Sequence, residues 1–116
     1  MLEISCSIRT TPFKLADGDS SAELEATQFN IGDSQRLYDL QKDFFDEEGS
    51  FIVENLNRLT ISRVITSVKT PEGKYYWPTI GDFEAFGYPQ EMLNLLSAEV
   101  EKLNPIVTDK VDAKKK

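Results

Sequence analysis

The chain reads as an α+β fold: an N-terminal β-hairpin or small antiparallel sheet, then about three helices, in a single small domain over residues 1–105. Three observations predict this. Leu2, Ile4, Cys6 and Ile8 alternate with Glu3, Ser5, Ser7 and Arg9, the period of two that buries one face of a strand. Leu37, Leu40 and Phe44 recur at intervals of three and four, and so mark a helix face. Met92, Leu95, Leu96, Val100 and Leu103 do the same further on.

Taken in order, residues 2–15 are expected to be extended. Pro12 interrupts the run, which suits an edge strand or a break, and Phe13 and Leu15 resume it. Asp17-Gly18-Asp19-Ser20-Ser21 has the composition of a turn. Residues 22–29 read two ways. Ala-Glu-Leu-Glu-Ala favours helix by propensity, but a returning strand follows better from the hairpin-like loop before it. Gly32-Asp33-Ser34 opens a helix with Asp33 as N-cap, running from Ser34 to about Glu47. Gly49 ends it.

A second helix is expected from Ser50 to about Ser67, with Phe51, Ile52, Leu56, Leu59 and Val64 sharing a face. Residues 61–70 are rich in Thr, Ile and Val, so a strand there stands as the alternative. Pro71-Glu72-Gly73-Lys74 is a turn, with proline presetting one dihedral and glycine supplying a positive φ. The aromatic run Tyr75-Tyr76-Trp77 follows, closed by Pro78. An apolar-acidic piece, Ile80 to Phe86, stops at Gly87. Pro89 suits the first turn of the last helix. Asn104-Pro105 ends it, because the residue before proline is pushed out of the helical region.

Composition bounds the function. A chain of 116 residues buries about two-thirds of its unfolded surface, enough for one modest core. The formal charge is −7. All of it lies in residues 1–50, since residues 51–116 carry equal numbers of acids and bases. An acidic half disfavours nucleic acid, whose phosphates require lysine and arginine. It serves solubility or a basic protein surface. Cys6 is the lone cysteine, so no internal disulfide forms. In an alternating strand it is expected to be a small buried residue, with a reactive thiol as the other reading. No apolar run approaches membrane-spanning length, and Met1-Leu2-Glu3 lacks the flanks of a secretory signal. The cytosol is the expected location.

The residue inventory argues against catalysis. There is no histidine, which removes the commonest acid-base group and metal ligand and every Ser-His or Cys-His pairing. One cysteine without histidine makes no zinc site. No glycine-rich phosphate loop or dinucleotide fingerprint occurs, so no cofactor is expected. Asp43, Asp46, Glu47 and Glu48 lack calcium-loop spacing and read as a solvated helix end. Tyr75, Tyr76, Trp77, Phe83 and Phe86 are the residues expected to divide between the core and contact with a protein partner.

The second half carries a resemblance. Val64, Ile65 and Val68 form a β-branched helix end. A Gly-containing turn, a short acidic-hydrophobic piece and a helix closing on Leu103-Asn104-Pro105 follow. Residues 51–105 thereby resemble the C-terminal half of tail assembly chaperones of long-tailed bacteriophages. Residues 1–50 have a compatible strand pattern and no matching letters. The resemblance implies a protein that binds tail tube protein, tape measure protein or both during tail morphogenesis and is absent from the finished particle. Self-association is left open. Such chaperones are commonly made in a short and a longer, frameshifted form. Lys114-Lys115-Lys116 fits a short form ending near a slippery run, or an ordinary flexible charged tail over residues 106–116. Two further classes stand beside this one: a small acidic phage-encoded inhibitor of a host protein, and a virion tail-completion or connector subunit.

Overall fold

The computed structural model describes residues 1–105, so the expected charged tail over 106–116 lies outside the described residues. Within them the α+β architecture holds. Strands β1 (Thr10–Asp17) and β2 (Ser20–Thr27) form an antiparallel hairpin with Thr10 opposite Thr27 and Asp17 opposite Ser20. That register leaves the two-residue turn Gly18-Asp19. Gly18 takes φ +62°, the left-handed region where a Cβ would be strained. The short strand β3 (Val68–Lys69) pairs antiparallel with β2, so the sheet order is β1-β2-β3.

Four α-helices follow where about three were expected: α1 (Ile31–Gln41), α2 (Leu56–Ser67), α3 (Ile80–Ala85) and α4 (Gln90–Leu103). Helix α2 lies at the centre and touches α1, α3, α4 and β2. The core joins Leu24 of β2 to Ile61, Val64 and Ile65 of α2, Val68, Trp77, Phe83, and Leu93, Leu96 and Val100 of α4. Phe13 and Leu15 of β1 pack against its margin.

Residues 22–29 take the strand reading through Thr27. Residues 61–70 satisfy both alternatives in turn, with helix to Ser67 and strand at Val68–Lys69. The Pro71–Lys74 turn then brings Tyr75 back opposite Lys69 as an isolated bridge.

The structure corrects several local expectations. The alternating Leu2–Ile8 stretch is not a strand and is exposed, Cys6 included. Strand β2 ends at Thr27, opposite Thr10, and the chain turns away into α1, so nothing within the domain remains to pair with residues before Arg9. Pro12 does not break β1. It sits on an edge strand, where a missing donor is tolerated.

Asp33 is not the N-cap of α1. Asn30 is, with its Oδ1 accepting from Asp33 N (2.7 Å) while Asp33 Oδ2 accepts from Asn30 N (3.0 Å), a reciprocal capping box. Helix α1 stops at Gln41 instead of Glu47. A 3₁₀ turn (Lys42–Phe44) and a bridge from Phe45 to Phe51 follow. Asp46 Oδ1 accepts from the backbone N–H of Glu48 and of Ser50 (2.9 Å each), a local side-chain bond that competes with helix.

Helix α2 begins at Leu56 rather than Ser50, after a 3₁₀ turn at Val53–Asn55. Phe51 and Ile52 therefore stand outside it, and Leu56 is exposed. In α4 the buried face is Leu93, Leu96, Val100 and Leu103, with Met92 half-buried and Leu95 in solvent. Pro89 is the N-cap residue of α4 instead of lying inside its first turn.

Candidate protein-binding site

The β3–α3 and α3–α4 connections place the aromatic residues. Val68 is buried and the Gly73 turn reverses the chain (φ +86°), so the chain runs from Tyr75 straight into the core at Trp77. Trp77 is buried and meets three rings edge-on: Tyr76 and Phe83 at 4.9 Å between centroids, and Tyr88 at 5.9 Å. Such T-shaped contacts put a positive ring edge against a negative ring face. Trp77 Nε1–H donates to Tyr88 Oη (3.3 Å), which satisfies the indole inside the core. Phe83 lies 5.1 Å from Tyr88. Thr79 caps α3 through Asp82 N and so fixes the helix that carries Phe83.

Phe86 has left the core. Its ring is stacked nearly flat on Tyr88, 5.1 Å between centroids and 10° between planes, and the residue is 60% exposed. Beside this stack runs a cleft of about 480 Å³ between the tip of the β1–β2 hairpin and the α3–α4 junction. Leu15, Ala22, Tyr76, Phe86, Tyr88 and Met92 give it an apolar lining, and Asp17 and two serines lie at the hairpin end. Burial, the largest influence, pushes the Tyr88 hydroxyl above its ordinary pKa. It stays protonated and neutral across the physiological range.

Tyr75 faces elsewhere. Its hydroxyl donates to Asp33 Oδ1 (2.5 Å), and Lys69 Nζ donates to Asp33 Oδ2 (2.7 Å). Asp33 is 1% exposed, so its carboxylate is held by these two side chains and the Asn30 N–H. The Arg36 guanidinium lies 3.9 Å above the Tyr75 ring and donates to Trp77 O (3.0 Å). Burial is the main reason that the Tyr75 pKa is pushed up to about 12, and the hydrogen bond and charge of Asp33 act the same way, against Arg36. Burial also lowers the Arg36 pKa, against Tyr75 and Asp33. This is a structural clamp between α1, β3 and the aromatic loop.

Of the five expected site residues, Tyr76, Trp77, Phe83 and Phe86 come together, and Tyr75 does not join them. Trp77 and Phe83 belong to the core, Tyr76 is half-buried at the cleft, and Phe86 is exposed. Sequence reasoning missed Tyr88, the hub that touches Trp77, Phe83 and Phe86. Its signal was its place just past the Gly87 stop. It also missed Leu15 and Ala22, because only the hairpin register brings the strands to α4.

Among the described residues, no three His, Cys, Asp or Glu side chains gather where they could hold a metal ion. No described helix is long and apolar enough to cross a membrane. No protein-family model, curated protein or solved structure matches the chain.

Proposed function

We propose that the chain is a non-catalytic protein-binding domain that acts as a tail assembly chaperone of a long-tailed bacteriophage, engaging tail tube protein, tape measure protein or both. The observation that carries the binding part is Phe86. An exposed ring stacked on Tyr88, at the rim of a cleft lined by Leu15, Ala22, Tyr76 and Met92, is a rigid anchor. It loses little conformational freedom on binding, which is what makes aromatic side chains strong interface contacts. The chaperone part rests on the resemblance over residues 51–105. A tube subunit that exposes apolar surface or strand edges before polymerisation needs a reversible cover, and an apolar cleft beside an acidic hairpin supplies one.

The test is co-expression of the chain with the tube and tape measure proteins of its own locus, followed by purification and a tube polymerisation assay. A complex that delays polymerisation, is weakened about tenfold or more by Phe86→Ala, and changes little with salt supports the reading. The acidic-inhibitor reading predicts the opposite: affinity that survives Phe86→Ala and falls steeply with salt. Recovery of the chain in purified virions would overturn the chaperone reading in favour of a tail subunit.

A further inference from the structure

The N-terminal arm, residues 1–9, is patterned as a strand and has no strand to pair with inside the domain. Leu2 is 82% exposed, Ile4 76% and Ile8 47%. Strand β1 shows why they cannot fold back onto their own core. Thr11, Phe13 and Leu15 are its half-buried residues, while Pro12, Lys14 and Ala16 are exposed. Side chains alternate along a strand, so the odd-numbered positions face inward. Arg9 obeys this parity, and its guanidinium reaches Leu103 O at the end of α4 (3.2 Å). Apart from Met1, the arm's apolar residues are all even-numbered. The hydrophobic phase slips between Ile8 and Thr11, which takes the arm's apolar face off the inward face of β1; Ile8 lies instead beside Phe29 and Ile31.

The backbone has a matching parity. Arg9 O accepts from Gln28 N (2.8 Å) on the β2 side. Alternation then directs the N–H and C=O groups of even residues to the opposite, open edge. Pro12 has no N–H to offer there, so a second strand can pair along that edge only as far as Thr10.

We propose that the arm pairs antiparallel with the arm of a second copy of this chain, across a two-fold axis at Cys6, and joins the two sheets into one. In this register Leu2 faces Thr10 of the other copy, Glu3 faces Arg9, Ile4 faces Ile8, Ser5 faces Ser7, and Cys6 faces itself. The pairing spans Leu2 to Thr10, the stretch that Pro12 leaves open. Charge complementarity selects it. Glu3 and Arg9 are the only charged side chains of the arm, and this register sets them opposite one another twice. A two-residue shift, centred on Ser5, sets Glu3 against Ser7 and Arg9 against Met1. A one-residue shift puts apolar residues opposite polar ones. Glu3 makes no ion pair among the described residues. The paired ribbon gathers Leu2, Ile4, Cys6 and Ile8 of both copies on one face. Its ends run past Phe29 and Ile31, which line a shallow concavity with Ile8. The contact is isologous, so it closes as a dimer and does not propagate.

The inference stands apart from the chaperone reading and is tested on the isolated full chain. Sedimentation equilibrium under reducing conditions should show a reversible dimer. Ile4→Asp/Ile8→Asp should make it monomeric, with circular dichroism and Trp77 fluorescence unchanged because the arm lies outside the core. Glu3→Lys should weaken the dimer about tenfold, since like charges then face each other, and Glu3→Lys/Arg9→Glu should restore it.

The register has its own probe. Residues exchanging both backbone bonds across an antiparallel pair have Cα atoms about 5.5 Å apart, within disulfide range. With copper(II)-phenanthroline as oxidant, the two Cys6 thiols lose two protons and two electrons to form one S–S bond. The dimer should crosslink rapidly, and moving the thiol in Cys6→Ser/Ser7→Cys should slow crosslinking at least tenfold. A chain monomeric at every concentration overturns the proposal. So does a dimer indifferent to Ile4→Asp/Ile8→Asp, which would join through another face, or equal crosslinking from both thiol positions.

Discussion

Trp77 shows how one side chain can hold this small core together. It contacts Tyr76, Phe83 and Tyr88 and gives its only polar hydrogen to Tyr88 Oη. Trp77→Ala should cost about 3–5 kcal/mol, a large part of the stability of a domain this size, and urea unfolding measures it. Asp33 is the polar counterpart, holding Asn30, Lys69 and Tyr75 at once. Asp33→Ala leaves the largely buried Lys69 side chain without its partner and removes half of the capping box, so a loss of about 3 kcal/mol is expected. Tyr75 makes the same clamp sensitive to alkali. Its folded-state pKa of about 12 lies above the ordinary value of 10.0, so the folded chain holds the phenol proton more tightly than the unfolded chain. That contribution is complete below pH 10 and is lost as pH rises through about 12. Tyr88 acts in the same direction. Denaturant titrations across this window should show stability falling with pH, and Tyr75→Phe should flatten part of the fall.

Among the elements, α4 is tied down by its end. Asn104 Nδ2 donates to Thr27 O (3.1 Å) and Val100 O (3.2 Å), and Asn104 Oδ1 accepts from Phe29 N (2.7 Å). Arg63 donates to Asn104 O (2.7 Å). Thr27 and Ser67 exchange three bonds nearby, which lock β2 to the end of α2. The Leu-Asn-Pro ending was legible in the sequence as a helix stop. That its asparagine also satisfies the backbone of a strand more than seventy residues earlier was not. Asn104→Ala strands the Phe29 N–H and should cost about 1–3 kcal/mol. Hydrogen exchange at Phe29 should quicken more than at α2 amides. The boundary of α1 illustrates the opposite limit. Asp33 has good N-cap chemistry, but Asn30 three residues earlier starts the helix, and Asp33 serves better at N3, where it reaches both the Asn30 N–H and the Tyr75 hydroxyl.

At the scale of the molecule, one core unites sheet and helices through α2, and Trp77 lies inside it. Trp77 fluorescence and far-ultraviolet circular dichroism should therefore report one coincident unfolding transition. A separate transition for the hairpin would mean that β1 and β2 are stable apart from the helices.

The sequence by itself determined the α+β class, the hairpin, the presence of helices at α1 and α4 and the breaks at Gly87 and Pro105. These follow from periodicity and backbone chemistry within a few residues of each position. Tertiary structure alone decided which of two sound local readings prevailed. Leu2–Ile8 has a strand's pattern but no strand within the domain to pair with. Residues 61–70 are helix until β2 offers Val68 and Lys69 a ladder. Tyr75 went to Asp33, while Phe86 went to the surface on Tyr88. Each outcome depends on what stands opposite in space, because hydrogen-bond partners and apolar contacts come from distant parts of the chain that local spacing does not encode.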